Sequence, residues 1–259
     1  MTSRAGPAGL RTDRLAIPVA SVGHLSAPRK LLLLLGNTFG LLHGVVIVLV
    51  AWLMWHRPGV CAGAAVGVIY VLPPLLCRVL LLASPIRRTT IAIGSREFFT
   101  WWFAINLQML FNRFAALEEL LRIVPGCYSL WLRLWGAKVG RLTYWAAGMR
   151  ILDRPFLQIG EDVTFGAGVR LNPHVIQPGG DGRLVLLLGR VRIGDHVSVG
   201  GYSLLVAGAE IASGQATRAF LMLPPFSRLE GGRRVKSDAP TPPAGDAPAS
   251  DGDRDEHEV

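Results

Sequence analysis

Two patterns of apolar residues divide this chain. The first is unbroken. Leu31 to Trp55 runs for 25 residues without Asp, Glu, Lys or Arg, between Arg29-Lys30 and His56-Arg57. A helix of that length spans the roughly 30 Å hydrocarbon layer of a bilayer. Val60 to Leu82 is a second apolar stretch, interrupted by Pro73-Pro74 and carrying Arg78 near its end. Prolines remove backbone donors and kink a helix, so the carbonyls they free need donors from a neighbour, here the first helix. Ala62, Gly63, Ala64, Ala65 and Gly67 permit that close approach. Residues 29–94 therefore predict a two-helix transmembrane hairpin with a very short loop. His43, the only ionisable group of the first span, reads as a neutral imidazole bonded to the neighbouring helix.

The second pattern has a period of six. One block is led by Ile159, Phe165 and Leu171, and another by Leu187, Ile193, Val199, Leu205 and Ile211. A looser block with leaders Val139, Trp145 and Ile151 precedes both. In each hexad the leader is large and apolar, the fifth residue is small or β-branched, and the second is often Gly. Neither helix nor strand periodicity gives a six. A period that survives eight hexads signals a repeat architecture. Phe156-Leu157-Gln158 adds two residues before Ile159, and Gln177 to Leu186 is a ten-residue excursion containing Pro178-Gly179-Gly180-Asp181-Gly182. Those turn residues predict a protruding loop over 177–186.

The remaining segments fall around these two patterns. Residues 1–28 lack periodicity and read as a flexible basic arm. Residues 95–138 predict amphipathic interfacial helices, opened by Ser95 and Glu97. Phe98, Phe99, Trp101, Trp102 and Phe103 then supply the aromatic bulk that a bilayer interface favours. The repeat domain covers 139–222 and is ended by Leu223-Pro224-Pro225-Phe226, so 223–236 becomes a basic C-terminal extension. Residues 237–259 form a disordered acidic tail.

Composition sharpens the membrane reading. The chain is 51% hydrophobic with net charge +9. The tail from Ser237 carries seven acidic side chains against Arg254 alone, a balance of −6, which leaves +15 for residues 1–236. A basic body beside a bilayer points to anionic lipid headgroups or acidic substrates. The Arg residues are scattered and accompany no nucleic-acid-binding motif, so nucleic acid is not an expected partner. Arg14, Arg29 and Lys30 flank one end of the hairpin and Arg87, Arg88 and Arg96 the same end of its second helix, while the loop holds only Arg57. The positive-inside bias then puts both termini and the repeat in the cytoplasm, on the inner membrane. Cys61, Cys77 and Cys127 have apolar surroundings without metal spacing and read as buried thiols.

Leader–glycine pairs six apart, as in Ile159-Gly160, Phe165-Gly166, Ile193-Gly194 and Val199-Gly200, resemble the hexapeptide repeat of left-handed parallel β-helix proteins. The run ending Leu134-Trp135-Gly136-Ala137-Lys138-Val139-Gly140 is similar to what precedes the helix in bacterial membrane-associated members. The resemblance implies an all-β left-handed parallel β-helix of triangular coils, three hexads to a coil, after the membrane hairpin. It also implies a homotrimer with active sites between subunits, and acyl transfer from acyl-CoA or acyl-carrier protein with a His as general base.

With three hexads per coil, Ile151, Leu171 and Val199 lead one face in successive coils. Arg154, His174 and Tyr202 then stack at position four, about 5 Å apart, with Asp153 in the neighbouring column. His174 is the expected base, exposed beside the excursion, and Asp153 its orienter. Arg154 and Tyr202 are expected to line the substrate site. Gly200-Gly201 offer backbone N–H groups for the oxyanion, and Arg233, Arg234 and Lys236 could meet the phosphates of coenzyme A. His196 falls on the preceding face, so the two repeat histidines do not converge and no metal is expected. The sequence thus predicts a membrane-anchored O- or N-acyltransferase with no permanent cofactor. Two other readings stay open: a non-catalytic trimeric scaffold with the same anchor, and a γ-type carbonic anhydrase, which would need bound zinc.

Overall fold

The computed structural model describes residues 25–236. The acidic tail, and all but the last residues of the basic arm, lie outside them.

Each unbroken apolar run is helical. α1 covers Ala27–Met54; α2 (Pro58–Val66) passes through one π-helical turn, Gly67–Val71, into α3 (Leu72–Ala83). The 28-residue helix and the 26-residue composite are both long and apolar enough to cross a membrane. Their large side chains face away from the protein, Leu41 being 74% and Leu82 80% exposed. The wide turn absorbs the disturbance expected at the prolines. Leu72 N bonds Gly67 O, so Val68 O loses its helical donor, and Pro74 has none to give Tyr70 O. His43 Nε2 donates to Val68 O at 2.8 Å and Trp131 Nε1 to Tyr70 O at 2.9 Å. One substitute donor comes from α1, as expected; the other comes from a helix sixty residues further on.

Four short helices follow: α4 (Arg96–Leu107), α5 (Met109–Arg113), α6 (Ala116–Ile123) and α7 (Cys127–Leu134). Ser95 Oγ caps α4 by accepting from Phe98 N at 3.2 Å. Of the aromatic run that the sequence assigns to a bilayer interface, Phe98 and Trp101 are buried inside the protein, while Phe99, Trp102 and Phe103 are half-buried. Phe98, Trp101, Phe111, Tyr128, Trp131 and Trp135 are buried against the apolar hairpin and the start of the strand-rich region. Phe111, Tyr128, Trp131 and Trp135 cover the open end of that region, whose first apolar leaders would otherwise face water, while Phe98 and Trp101 pack with Ile91, Leu186 and Leu188. Trp131, Trp135, Val139, Met149 and Ile151 belong to one continuous core.

From Lys138 the six-residue rhythm folds into three parallel ladders, visited in rotation. The first stacks β2 (Lys138–Val139), β5 (Leu157–Ile159), β10 (Val191–Ile193), β13 (Glu210–Ile211) and β15 (Ser227–Glu230). The second stacks β3 (Tyr144–Trp145), β6 (Thr164–Phe165) and β11 (Ser198–Val199). The third stacks β4 (Arg150–Ile151), β7 (Arg170–Asn172), β12 (Leu204–Val206) and β14 (Met222–Leu223). Leaders Ile159, Phe165, Leu171, Ile193, Val199, Leu205 and Ile211 are all buried inside the coil, with small fifth residues such as Val163, Val169 and Ala209 in its corners. Several corners turn through left-handed residues, among them Asp162, His196, Tyr202, Phe220 and Phe226.

The register corrects two expectations. The chain leaves the third ladder after Asn172 and rejoins the first at Val191, so the coil from Ile159 to Ile193 takes 34 residues where Ile193 to Ile211 takes 18. The excess is a β-hairpin, β8 (His174–Pro178) and β9 (Leu184–Leu188), larger than the predicted loop 177–186. Antiparallel β1 (Thr90–Ala92), just beyond α3, pairs with β9. Leu171 therefore stacks on Leu205, while Val199 stacks on Phe165 in the ladder of Trp145. The coil also does not end at Pro224-Pro225. Leu223 extends the third ladder and Leu229 the first, and β16 (Arg233–Lys236) closes it antiparallel to β15. The prolines occupy a corner, where no ladder donor is required.

Candidate active site

The site forms where two adjacent coils leave the third ladder. Ile151 stacks on Leu171, and the residues that follow each leader meet at the same corner. Asp153 turns through φ 49°, a left-handed conformation that short polar side chains tolerate. The two-residue insertion is taken up beyond it in a 3₁₀ turn, Arg154–Phe156. His174 opens β8 in the next coil. Its Nδ1 bonds Asp153 Oδ2. The other carboxylate oxygen, Oδ1, accepts from Trp101 Nε1 of α4 at 2.8 Å. The Trp101 ring also meets the imidazole edge-on, with centroids 4.8 Å apart.

This arrangement fixes the protonation chemistry. Asp153 is 1% exposed, so its carboxylate is held by specific donors and not by water. With Nδ1–H donating to Asp153, Nε2 carries the free lone pair, and it has no hydrogen-bond partner among the described residues. Burial alone would lower the His174 pKa; the Asp153 carboxylate, by charge and by hydrogen bond, overrides that and raises it. The His174 side chain retains 16% exposure, less than the open corner position predicted for it. Trp101 accounts for the difference.

Arg154 is not where the sequence puts it. Its side chain is 1% exposed, and lies beneath α5, α6 and α7. Nε donates to Glu118 Oε1 at 2.7 Å, and Nη1 to Gln108 Oε1 and Asn112 Oδ1, each at 3.0 Å. Phe111, Trp131 and Trp135 surround the guanidinium at 5.6–5.9 Å. Every face is engaged, so Arg154 has no group left for a substrate. The 3₁₀ turn rotates it inward from the expected outer column. There it fastens the Asp153 corner to the helical layer, since Arg154 N also donates to Gln108 Oε1 at 2.8 Å.

The other sequence-predicted residues lie elsewhere. Tyr202 belongs to the corner after the second ladder, is 63% exposed, and stacks on Phe220 at 5.4 Å. Gly200 and Gly201 share that corner and serve coil stacking. Gly200 N is taken by Thr217 Oγ1 at 2.9 Å, and a Cβ on Gly200 would fall 2.3 Å from the Arg218 backbone. Gly200 N is thus not available to an oxyanion. Arg233, Arg234 and Lys236 form β16 at the closing end of the coil, several coils beyond His174. His196 pairs with Asp162 at 3.1 Å on an exposed corner. Among the described residues no group of three or more His, Cys, Asp or Glu side chains is placed to hold a metal ion.

Trp101 is the residue that sequence reasoning misses. Its signal was present: Phe98, Trp101, Ala104 and Leu107 are spaced at three, and polar Gln108 sits at the end of the same buried face. That spacing marks a packed helix face.

No family model and no curated protein matches this chain. Solved structures similar to it are hexapeptide-repeat acetyltransferases and an N-acyltransferase. A hexapeptide-repeat acetyltransferase from Vibrio cholerae shares 11% identity over 47% of this chain and 89% of its own, with a TM-score of 0.28. A maltose O-acetyltransferase from Clostridium difficile shares 17% over 51% and 88%, with a TM-score of 0.30. An N-acyltransferase from Bacillus cereus, solved with an amino sugar nucleotide and coenzyme A, shares 13% over 42% and 88%, with a TM-score of 0.20. At such scores no residue role passes from these proteins to this chain.

Proposed function

We propose that this protein is a membrane-anchored acyltransferase whose coil is a left-handed parallel β-helix. It moves an acyl group from a cytoplasmic thioester, acyl-CoA or acyl-carrier protein, to a hydroxyl or amine held near the inner membrane. The observation that carries the reading is the chain Trp101–Asp153–His174, which leaves one imidazole nitrogen free beside an excursion of the coil. His174 Nε2 takes the proton of the acceptor as its oxygen or nitrogen attacks the thioester carbonyl. Asp153 holds the tautomer and balances the imidazolium. Collapse of the tetrahedral intermediate breaks the C–S bond, and the imidazolium returns its proton to the departing thiolate. A homotrimer, both termini in the cytoplasm and the two spans in the inner membrane belong to the same proposal.

The test is thioester consumption by the purified full chain in detergent, with a panel of acyl-CoA donors and amine or alcohol acceptors. His174→Gln is expected to slow acceptor-dependent turnover roughly 10²- to 10⁴-fold. Turnover unaffected by His174→Gln removes His174 from the mechanism. No turnover with any donor favours a non-catalytic scaffold.

A further inference from the structure

A second site lies where the apolar hairpin meets the coil. Arg78, Leu82, Ile86, Trp135, Phe156 and Arg190 are among the residues that line a groove of about 280 Å³. Its chemistry is one-sided. One wall is the last two turns of the apolar helix α3, and Leu82 beside it is 80% exposed. Two guanidinium groups border the groove, and no carboxylate does. Arg78 has no salt bridge or hydrogen bond among the described residues. Arg190 spends Nη1 on Pro155 O and Leu157 O, at 3.2 and 3.0 Å. Trp135, which is fully buried and borders the same groove, has an indole Nε1–H with no acceptor. Arg78 is exposed and unpaired, Arg190 is half-buried, and the Trp135 N–H at the same groove is a buried donor left without an acceptor, which is costly. Burial and the neighbouring Arg192 both disfavour the charge on Arg190; an anion would relieve that strain.

Depth narrows the choice of anion. Arg78 lies five residues before the end of α3 at Ala83, roughly 8 Å along the helix axis. Basic pockets between a spanning helix and a cytoplasmic domain suit phosphate headgroups whose chains stay in the hydrocarbon.

We infer that the Arg78–Arg190–Trp135 groove binds the phosphate of an anionic membrane lipid, with its acyl chains along the outer face of α3. The inference rests on the membrane reading above, and it gives the basic body a defined contact beside the site. Phe156 and Ile86 pack on the apolar cluster that also contains Trp101. A lipid in the groove therefore buttresses the same cluster that holds Asp153 and His174 in place.

The experiment is a thermal-shift titration of the purified full chain in neutral detergent with phosphatidylglycerol, phosphatidylcholine or inorganic phosphate. Phosphatidylglycerol is expected to stabilise the protein saturably, whereas the other two at equal concentration are not. Arg78→Gln should raise the half-saturating concentration at least tenfold, and Arg78→Lys should restore most of the effect. Arg183→Gln, on an exposed hairpin turn, should titrate as wild type. Equal titration by Arg78→Gln and wild type overturns the site, and so does an equal effect of phosphatidylcholine. Saturation by inorganic phosphate alone replaces the lipid with a soluble oxyanion. Alkaline extraction of cell membranes separates the two readings. Wild type released from the pellet sinks the membrane anchor itself, whereas Arg78→Gln retained there with its titration lost supports the groove.

Discussion

Trp101→Phe isolates one hydrogen bond of the site. The substitution keeps an aromatic ring of similar bulk against the imidazole and removes the Nε1–H that donates to Asp153 Oδ1 at 2.8 Å. Asp153 is 1% exposed, so water does not replace the lost donor. A hydrogen bond to a charged group contributes roughly 1.5–3 kcal/mol. If the whole of it acts on the transition state, where His174 becomes an imidazolium braced by that carboxylate, kcat falls roughly 10- to 150-fold. Trp101 does not touch the free face of His174 Nε2 through any polar group, so KM should be unchanged. The assay is steady-state kinetics on an acyl donor and acceptor pair turned over by wild type, with thermal melts of both proteins to confirm folding. A wild-type kcat in a folded Trp101→Phe protein refutes the positioning role, and a rise in KM with constant kcat assigns Trp101 to binding.

Four further outcomes follow from the same structure. The raised His174 pKa puts the acid limb of activity above the ordinary histidine value of about 6.5; in Asp153→Asn, burial acts alone, and the limb should move to lower pH with a lower plateau, read from a pH–rate profile. By linkage, the stability that the His174–Asp153 pair contributes is fully present below about pH 6.5 and is lost as pH rises through the raised pKa, so the melting advantage of wild type over His174→Gln should shrink in that direction. Glu118→Gln leaves two buried guanidiniums, Arg154 and Arg122, without their shared carboxylate; breaking such a pair costs roughly 3–5 kcal/mol, which lowers Tm by roughly 6–20 °C. His43→Phe strands Val68 O and should cost about 0.6–1.7 kcal/mol in detergent denaturation, with no loss in an assay of His174 chemistry.

Much of this architecture is written in the chain at short range. The leader at every sixth residue follows from the triangular coil, because each side needs one large inward side chain and each corner one small one. Ile151 over Leu171 could be counted, and with it the meeting of Asp153 and His174. Long-range features were illegible for a specific reason. Leu171-Asn-Pro-His-Val175 and Leu187-Leu-Gly-Arg-Val191 imitate hexads, but their alternation belongs partly to a hairpin whose partner, Thr90–Ala92, lies more than 90 residues upstream of Leu187. That borrowed rhythm displaced Val199 by one ladder and carried Tyr202 and Gly200-Gly201 into the expected site. Arg154 went astray because the insertion is taken up as a 3₁₀ turn that rotates its side chain inward. The aromatic run at Phe98 has the same composition whether it meets lipid or the sheet of β1 and β9, so its partner could not be read from composition.

The strand Thr90–Ala92 has a practical meaning for anyone wishing to work with a soluble piece of this protein. Sequence patterning invites truncation just before Ser95, where the hairpin predicted over residues 29–94 ends. Such a cut would strip the outer edge from the three-stranded sheet whose far strand begins at His174. The exposed edge of Leu184–Leu188 would be left seeking any other strand, an invitation to aggregate. In the proposed enzyme, anchor and chemistry are thus not separable modules. In the proposed acyltransferase, the helix leaving the bilayer is stitched, five residues after Pro85, to the hairpin that opens with His174, so the height of the base above the membrane is set by covalent chain and backbone hydrogen bonds.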